Sequence, residues 1–342
     1  MPLAKIMPLA FTLVYGIITR YSLFCRIEHH MKRFASGSKL PVYIILLLSV
    51  LSMSTSAPIN KLAMAQGMAP AVINFWRLGV AALCTLPFVL FSQRGRQDLK
   101  LLFTTPKDML LLLCSGVVLA VHFYVWVMSL GVTSVFGSIV LVSAHPVFTL
   151  LGDRIFFKQR FSRGALAGAA VSFLGIVLVG ANSLLRHEGN IIGDLLALLG
   201  ALLFAVYMLF GRALRARYSV NTYTTGVYGV SAIILAVISV ASGLSFTNYP
   251  PLAFGFVACI IVASTFLGHT IVNWSLGHIP TSTASILLLI SPISSGVWSY
   301  VFLGDVPSVY LLLGGLVTVL GLVWYMMSQN RALRRATESA SL

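Results

Sequence analysis

The sequence has little negative charge: only eight Asp and Glu residues occur among 342, and 9% of all residues are charged. Soluble globular proteins carry about 25% charged residues, so an ordinary soluble enzyme is excluded. The 23 Lys and Arg residues lie between long apolar runs rather than on one polar face, which argues against a nucleic-acid partner. With 58% hydrophobic residues, the chain is predicted to be an all-α integral membrane protein whose surroundings are the lipid bilayer.

Motifs for enzyme, metal or nucleotide chemistry are also missing. The four cysteines show no Cys-x-x-Cys spacing, so neither a disulfide framework nor a thiolate metal site is predicted. The sequence has no His-Glu-x-x-His, no Gly-x-Ser-x-Gly and no pair of membrane aspartates, which hydrolysis inside a membrane would need. A P-loop is absent too, which excludes self-contained ATP-driven pumping. We therefore expect no enzyme, no cofactor and no metal.

Uncharged stretches set the number of membrane spans, because a span needs about 20 apolar residues. Ten such helices fit into the sequence. They are predicted between Lys39 and Lys61, at Pro70 to Phe91, twice within Leu110 to Gly152 with a turn near Gly131, at Ala165 to Ser183, at Ile191 to Phe210, three times within Tyr218 to Gly304, and at Val306 to Met327.

Basic residues collect at alternate ends of these spans. The exceptions are Lys61 and Arg186 at the other end and Arg77 within a span. Lys and Arg are retained on the cytoplasmic side, so both termini are predicted to be cytoplasmic in a multi-pass protein of the inner (cytoplasmic) membrane. The basic loops hold Arg94, Arg96, Lys100 and Lys107, then Arg154, Lys158, Arg160 and Arg163, and then Arg212, Arg215 and Arg217.

The first 40 residues are predicted to be a cytoplasmic extension. Its apolar stretch from Ile6 to Thr19 is short for a span, and Met31 offers an alternative start of the chain. A basic tail at residues 331–342 closes the chain at the other terminus.

An internal repeat becomes visible when Ser129 to Ala181 is laid over Ser275 to Met327 at a constant offset of 146 residues. Because each repeat then holds five helices, an odd number, the second repeat must be inverted relative to the first. The predicted repeats are residues 41–184 and 190–330. The matched residues are Ser129-Leu130-Gly131 with Ser275-Leu276-Gly277, Pro146 with Pro292, Gly168 with Gly314, and Gly175 with Gly321.

Several motifs accompany this repeat. They are Phe75-Trp76-Arg77, Gly193-Asp194-Leu195-Leu196-Ala197-Leu198, Ser291-Pro292, Phe302-Leu303-Gly304-Asp305, Gly314 and Gly321. Together with the repeat, they resemble the EamA family of the drug/metabolite transporter superfamily. The resemblance implies ten transmembrane helices as two inverted five-helix repeats, and a transport function. The sequence departs from the family pattern at Asp305, where the family has Glu, and at Gln159, its counterpart 146 residues earlier, where the family has an acidic residue in the first half.

Prolines within spans four and nine are candidates for helix interruptions at a substrate site. Each of Pro146 and Pro292 removes a backbone hydrogen bond and frees a carbonyl that can bind a ligand or a hydroxyl. Ser143 and Ser291 supply nearby hydroxyl groups. The alternative is that the prolines only bend the helices for packing.

Arg77 is the one permanently charged residue inside a predicted span. Such residues face a cavity or a partner, and a guanidinium suits a carboxylate or phosphate. The acidic residues of the spans fall near helix ends, so Arg77 is predicted to hold an anionic substrate group. The alternatives are that it extends to the outer interface or braces the repeats.

Histidines are the candidate proton carriers, because no carboxylate lies at mid-depth. His122, His145 and His269 could exchange protons near neutral pH, although each could equally be a buried neutral ring. Trp126 shares a helix face with His122, and Asn273 shares one with His269.

Four aromatic residues are predicted to stack on a substrate, and a set of glycines is predicted to allow close helix packing instead. The aromatic candidates are Trp76, Trp126, Tyr207 and Trp298, and the packing glycines are Gly164, Gly168, Gly314, Gly315 and Gly321.

Together these patterns favour a secondary active transporter that exports a small polar metabolite, an amino acid or a related zwitterion, by proton antiport. The direction follows from the family resemblance. A passive facilitator or substrate exchanger is the main alternative, and a channel, receptor or intramembrane enzyme is a distant one. A homodimer is one option for the assembly, and the substrate is left open.

Overall fold

The computed structural model describes residues 40–133, 135–185, 190–304 and 309–340, and every regular element in these ranges is helical. In a bilayer, a helix satisfies its backbone hydrogen bonds internally, which explains why so apolar a chain folds in this way. The predicted extension with its alternative start at Met31 lies outside the described residues, apart from Leu40. Asp305, the predicted counterpart of Gln159, lies outside them too.

The first half of the chain forms eight α-helices in the described residues. They are α1 (Leu40–Met53), α2 (Ser56–Ala65), α3 (Pro70–Phe91), α4 (Gln93–Thr104), α5 (Pro106–Val132), α6 (Val135–Val142), α7 (His145–Phe156) and α8 (Arg163–Leu185).

The second half forms seven further α-helices, together with a π-helical segment at Ile260–Thr270 and a 3₁₀ turn at Leu288–Ile290. The helices are α9 (Ile191–Arg215), α10 (Val220–Ala241), α11 (Pro251–Cys259), α12 (Ile271–Ser275), α13 (Thr281–Leu287), α14 (Ser291–Leu303) and α15 (Val309–Ala340).

Within the described part of the chain, nine helical stretches are long and apolar enough to cross a membrane. These stretches match nine of the predicted spans, and the remaining predicted span falls on α8, whose shorter apolar stretch is Arg163–Leu178. The protein is therefore a multi-pass membrane protein, helical throughout the regular elements that the structure describes. One predicted loop is instead helical, since α4 forms between the second and third spans and the side chain of Ser92 caps it by accepting from the Gly95 N–H at 3.0 Å.

Two of the predicted spans are interrupted at their prolines. Pro146 and Pro292 lie in the first turns of α7 and α14, so they mark helix interruptions, as proposed from the sequence, rather than bends in continuous helices. Proline has no N–H and clashes with the carbonyl four residues before it, so a helix stops ahead of it and restarts with proline in its first turn. The first span is also interrupted, at Ser54 and Thr55, which the sequence analysis did not predict.

The loops rich in Lys and Arg are joined to one another at one end of the bundle. The buried carboxylate of Asp153 accepts from Arg212 Nη1 at 2.6 Å and from the Ser282 backbone N–H at 2.7 Å, which links α7, α9 and α13. Asp108 pairs with Arg217 at 2.5 Å. Burial, and then the hydrogen bond that Tyr218 donates to Asp108, raise the pKa of the Tyr218 hydroxyl to about 12, so this hydroxyl keeps its proton at neutral pH.

The opposite end is held by different contacts. Thr133, which follows α5, donates to the carboxylate of Asp194 in the first turn of α9 at 2.7 Å. Trp76 Nε1 donates to the carbonyl of Phe246, in the connection between α10 and α11, at 2.9 Å. The contacts at both ends agree with the alternation of loops that the charge pattern predicts.

Close packing joins α8 to α15, as the glycine pattern predicted. A Cβ atom on Gly168 would lie 2.4 Å from the backbone nitrogen of Tyr325, and one on Gly321 would lie 2.4 Å from the backbone nitrogen of Ser172. Neither backbone can retreat, so only glycine allows these helices to approach so closely.

Candidate functional site

A cavity of about 80 Å³ lies where the three interrupted helices meet. Its wall includes Ser54 and Ser56 at the α1–α2 break, Ser143 and His145 at the α6–α7 break, and Ser291 at the start of α14. A helix that is interrupted inside a membrane exposes backbone and small polar groups that a continuous helix would cover. The fold thus concentrates polar groups at one internal place.

The structure brings six of the predicted site residues to this cavity. Its volume is below the roughly 300–1,000 Å³ of typical ligand pockets, so a substrate of more than a few atoms requires the surrounding helices to separate. The two prolines are not on the wall, although their neighbours are. The six predicted residues are His122, Trp126, Ser143, His145, His269 and Ser291.

His122 and Trp126 share one face of α5, as their spacing predicted. Their rings are stacked, with centroids 6.2 Å apart and planes within 1°. His122 Nδ1 lies 2.9 Å from the Gly200 carbonyl, which can only accept, so Nδ1 carries the proton and Nε2 is the acceptor in the neutral ring. The buried Trp126 Nε1 has no acceptor in the described part of the protein.

Phe204, which the sequence analysis did not single out, lies among the three histidines. Its ring centroid is 5.0 Å from that of His122, 5.1 Å from His145 and 5.8 Å from His269. His145 Nδ1 is 2.5 Å from Ser285 Oγ, whereas no hydrogen bond to His269 is found in the described ranges. The described histidines, cysteines and acidic residues form no group that could hold a metal ion.

Arg77 is completely buried, so it does not extend to the membrane interface. Its Nε donates to Thr265 Oγ1 at 2.8 Å and its Nη2 to Ser264 Oγ at 2.9 Å, both in the π-helical segment. Its Nη1 donates to Ser56 Oγ at 3.4 Å, and its Cζ lies 4.1 Å from the centroid of the Phe123 ring. Because Ser56 and Phe123 line the cavity and Arg77 does not, the guanidinium lies directly behind the wall.

Two further predicted residues, Tyr207 and Asn273, form a buried polar cluster next to the cavity. Asn273 Nδ2 donates to Tyr207 Oη at 2.6 Å and to Tyr228 Oη at 3.5 Å. Tyr207 lies three residues beyond Phe204 on α9, toward the end with the basic loops, and is fully buried. Neither Tyr207 nor Asn273 is on the cavity wall.

Trp76 and Trp298 lie away from the cavity. Trp76 packs edge-on against Phe75 at 5.2 Å, at the end of the bundle opposite the basic loops. Trp298 Nε1 donates to the Leu51 carbonyl at 2.9 Å, and its ring stacks on Phe302 at 5.7 Å. In this conformation both rings pack against other helices. Neither lies on the cavity wall, where it could stack on a substrate as predicted.

Comparison with known proteins fits this architecture. The EamA-like transporter family model matches residues 40–181 and 191–327, that is, once in each half of the chain. The chain belongs to the EamA-like transporter family. Transport rather than catalysis is accordingly the general function that the family and the names of relatives indicate.

Several relatives are named transporters or exporters. The uncharacterized transporter YdfC of Bacillus subtilis is 23% identical over 78% of this EamA-like chain and 85% of its own length. A probable terminal-alkyne amino-acid exporter of Streptantibioticus cattleyicolor is 22% identical over 59% of this chain and 66% of its own. A riboflavin transporter of Rhizobium johnstonii is 24% identical over 76% and 82%. These names cover chemically different substrates.

A solved protein structure shares the fold. It superposes with a TM-score of 0.66 and 17% sequence identity, covering 84% of this chain and 99% of the other.

Several cavity residues of this EamA-like transporter escaped the sequence analysis. Ser54, Ser56 and Ser295 line the cavity, and the buried hydroxyl of Ser295 has no partner within the described ranges. A signal was present, because the run Ser52-Met53-Ser54-Thr55-Ser56 places four hydroxyl side chains in the middle of the first predicted span. Such a run competes with backbone hydrogen bonding and favours a helix break.

The wall combines neutral hydrogen-bonding groups with a positive charge behind it. No Asp or Glu is among the cavity-lining residues found in the described structure, while serine hydroxyls, imidazoles and an indole N–H are. The buried positive charge of Arg77 lies directly behind them. An organic cation would find no counter-charge here, whereas a carboxylate would.

Proposed function

We propose that this EamA-like transporter is a secondary carrier of ten transmembrane helices, arranged as two inverted five-helix repeats at residues 41–184 and 190–330. The family model matches once in each half, which supports two copies of one unit. The helix α8, 23 residues long, supplies the tenth span. The observation that carries the proposal is the cavity at three helix breaks, since carriers of this kind bind substrate where discontinuous helices meet.

The proposed substrate is a small polar metabolite that bears a carboxylate, an amino acid or a related zwitterion. Support comes from Arg77 behind the wall, from the absence of acidic groups among the described lining residues, and from the relative named as an amino-acid exporter. Export across the cytoplasmic membrane, with both termini inside, is the proposed direction and topology, in agreement with the basic loops gathered at one end.

Proton antiport is the proposed energy coupling. Three imidazoles, those of His122, His145 and His269, line the cavity. Imidazole is the side chain whose unperturbed pKa lies closest to neutral pH, and no other group that could exchange a proton in this way is among the described lining residues. A passive facilitator or exchanger is the second candidate, favoured by the same lack of a lining carboxylate, the group that most directly trades a proton for a cation.

Metabolite release from cells tests the proposed function. Cells expressing the wild-type protein are compared with vector controls by untargeted analysis of the medium, and we expect carboxylate-bearing metabolites to accumulate. Ala57→Phe fills the cavity wall and should abolish this release, whereas Leu83→Phe, at a side chain 68% exposed on the lipid-facing surface, should preserve it. Equal amounts of monodisperse protein are confirmed for each variant. No difference between wild type and vector, or equal release by Ala57→Phe, would overturn the proposal.

A further inference from the structure

The structure points to Ser56 as the residue that presents positive charge to a ligand. We propose that the Ser56 hydroxyl is the donor of an anion subsite in the cavity, that Arg77 polarises it from behind, and that the π-helical segment holds Arg77 in position. The expected ligand group is a carboxylate. This inference rests on the proposed function and names a subsite within it.

The hydrogen bonds of Ser56 leave its proton free. Its oxygen accepts from Arg77 Nη1 at 3.4 Å and from Asn60 Nδ2 at 3.1 Å, which occupies both lone pairs of the hydroxyl. No acceptor for its own proton occurs in the part of the chain that the structure describes. Ser56 is only 4% exposed and lines the cavity, so the remaining O–H can be donated only to something inside the cavity. Two donors acting on one oxygen make its proton a stronger donor.

Arg77 acts on a ligand through Ser56 because Phe123 covers the face of the guanidinium. The guanidinium stacks on the Phe123 ring at 4.1 Å, and Phe123, not Arg77, is on the wall. No carboxylate pairs with Arg77 in the described ranges, so its charge is not neutralised by an ion pair. A buried charge of this kind favours an anion nearby, and Ser56 is the group between the two.

The π-helical segment explains why Arg77 is held there. Helices α5 and α11 both start with proline, and Pro106 and Cys114 match Pro251 and Cys259 at an offset of 145 residues. Beyond the segment the offset is 146, so the second repeat contains one more residue between Cys259 and Ser275. The segment Ile260–Thr270 falls within this interval, whereas its counterpart in α5 is regular.

A π-helix is how a helix accommodates one extra residue, and such segments are frequent at functional sites. Within this one, the hydroxyl of Thr265 donates to the Ile260 carbonyl and that of Thr270 to the Thr265 carbonyl, each five residues back. The widened turn directs Ser264 and Thr265 at Arg77. Both are positioning residues in this proposal.

Acetate is the probe for the subsite, and acetamide is its neutral counterpart. The Tm of the full-length protein in lipid nanodiscs is measured in sodium acetate, in sodium chloride at equal ionic strength, and in acetamide. At an acetate concentration ten times Kd, the wild type should gain about 3 °C in Tm over both controls. Ser56→Ala should lose this gain and Ser56→Thr should keep it.

Ser54→Ala is the matched control, because Ser54 lines the same break but donates its proton to the Val50 carbonyl at 2.6 Å and lies 3.1 Å from Ser291 Oγ rather than contacting Arg77. It should keep the acetate gain, whereas Ser264→Ala combined with Thr265→Val should lose it. An undiminished gain in Ser56→Ala, or no gain in the wild type, would overturn the subsite. If acetate stabilises the protein but cells release no metabolite, the proposed export is refuted and the subsite is supported. If cells release the metabolite but acetate does not stabilise the protein, the subsite is refuted and the proposed export is supported.

Discussion

Ser172 and Thr318 are joined by two reciprocal hydrogen bonds, each from the side chain of one residue to the backbone carbonyl of the other. Ser172 Oγ donates to the Thr318 carbonyl at 3.1 Å, and Thr318 Oγ1 donates to the Ser172 carbonyl at 3.4 Å. The two residues are 146 positions apart, the offset of the sequence repeat. Reciprocal contact between equivalent residues is what a two-fold axis produces. The Ser172–Thr318 pair thus supports the proposed inverted repeat.

The contact of α8 with α15 depends on glycine. Gly168→Ala would place a Cβ atom 2.4 Å from the Tyr325 backbone nitrogen and 2.8 Å from the Gly321 carbonyl oxygen, so the helices must move apart. We expect destabilisation of about 1–3 kcal/mol, visible as a lower Tm of the purified protein. Gly255→Ala is the control, because a Cβ there meets nothing within 4 Å and alanine favours a helix more than glycine does. An unchanged Tm for Gly168→Ala would contradict the close packing.

Much of the architecture could be predicted from the sequence because hydropathy and charge report directly on the bilayer. The turn near Gly131 and the start of the second span at Pro70 agree with the structure, since long apolar runs and proline at a first helical position are local signals. The packing glycines were predictable for the same reason, as their spacing along one helix fixes which face they share.

The candidate site was predictable only in part. His122 and Trp126 reached the cavity because a regular helix keeps residues four apart on one face. Arg77 lies behind the wall instead, where it donates to Thr265 and Ser264, because its depth in the span predicts burial but not which residues of other helices it meets. Trp76 and Trp298 could not be assigned, since hydropathy does not tell a lipid-facing ring from a cavity-facing one.

The buried pair of Asp153 and Arg212 should hold the basic end of the bundle together. The side chain of Asp153 is fully buried and that of Arg212 is 20% exposed, so Asp153→Asn leaves a largely desolvated charge without its partner. We expect a loss of about 3–5 kcal/mol, measured as a fall in Tm. Asp108→Asn is the matched comparison, since Arg217 is 51% exposed and the expected loss is at most about 1 kcal/mol.

A double-mutant cycle separates the pair from the rest of the Asp153 contacts. Adding Arg212→Gln to Asp153→Asn should restore part of the lost stability, because it removes the unpaired charge. If the two substitutions simply added, the ion pair would not be the reason for the loss.

His269 is expected to couple transport to protons. In proteoliposomes, efflux of the metabolite identified in cells should accelerate when a pH gradient supplies protons to the opposite side, and His269→Gln should remove this acceleration while exchange of labelled for unlabelled substrate continues. The physical reason is that glutamine keeps hydrogen-bonding groups at the wall but cannot take up a proton. Wild-type efflux that is independent of the pH gradient would favour the facilitator or exchanger. An unchanged response to the gradient in His269→Gln would show that another group couples transport to protons.

The proposed orientation predicts which loops can be labelled from outside an intact cell. In a variant without the native cysteines, Asn248→Cys, in the loop between α10 and α11, should react with a membrane-impermeant maleimide added to intact cells. Lys158→Cys, in the loop between α7 and α8, should react only after the membrane is opened. Hydrogen bonds show at which end of the bundle each loop lies. The Phe246 carbonyl accepts from Trp76 at one end, and the Asp153 carboxylate accepts from Arg212 at the other. Since Lys and Arg are retained in the cytoplasm, the reverse labelling pattern would show that the charge bias does not set the topology and would overturn the proposed orientation.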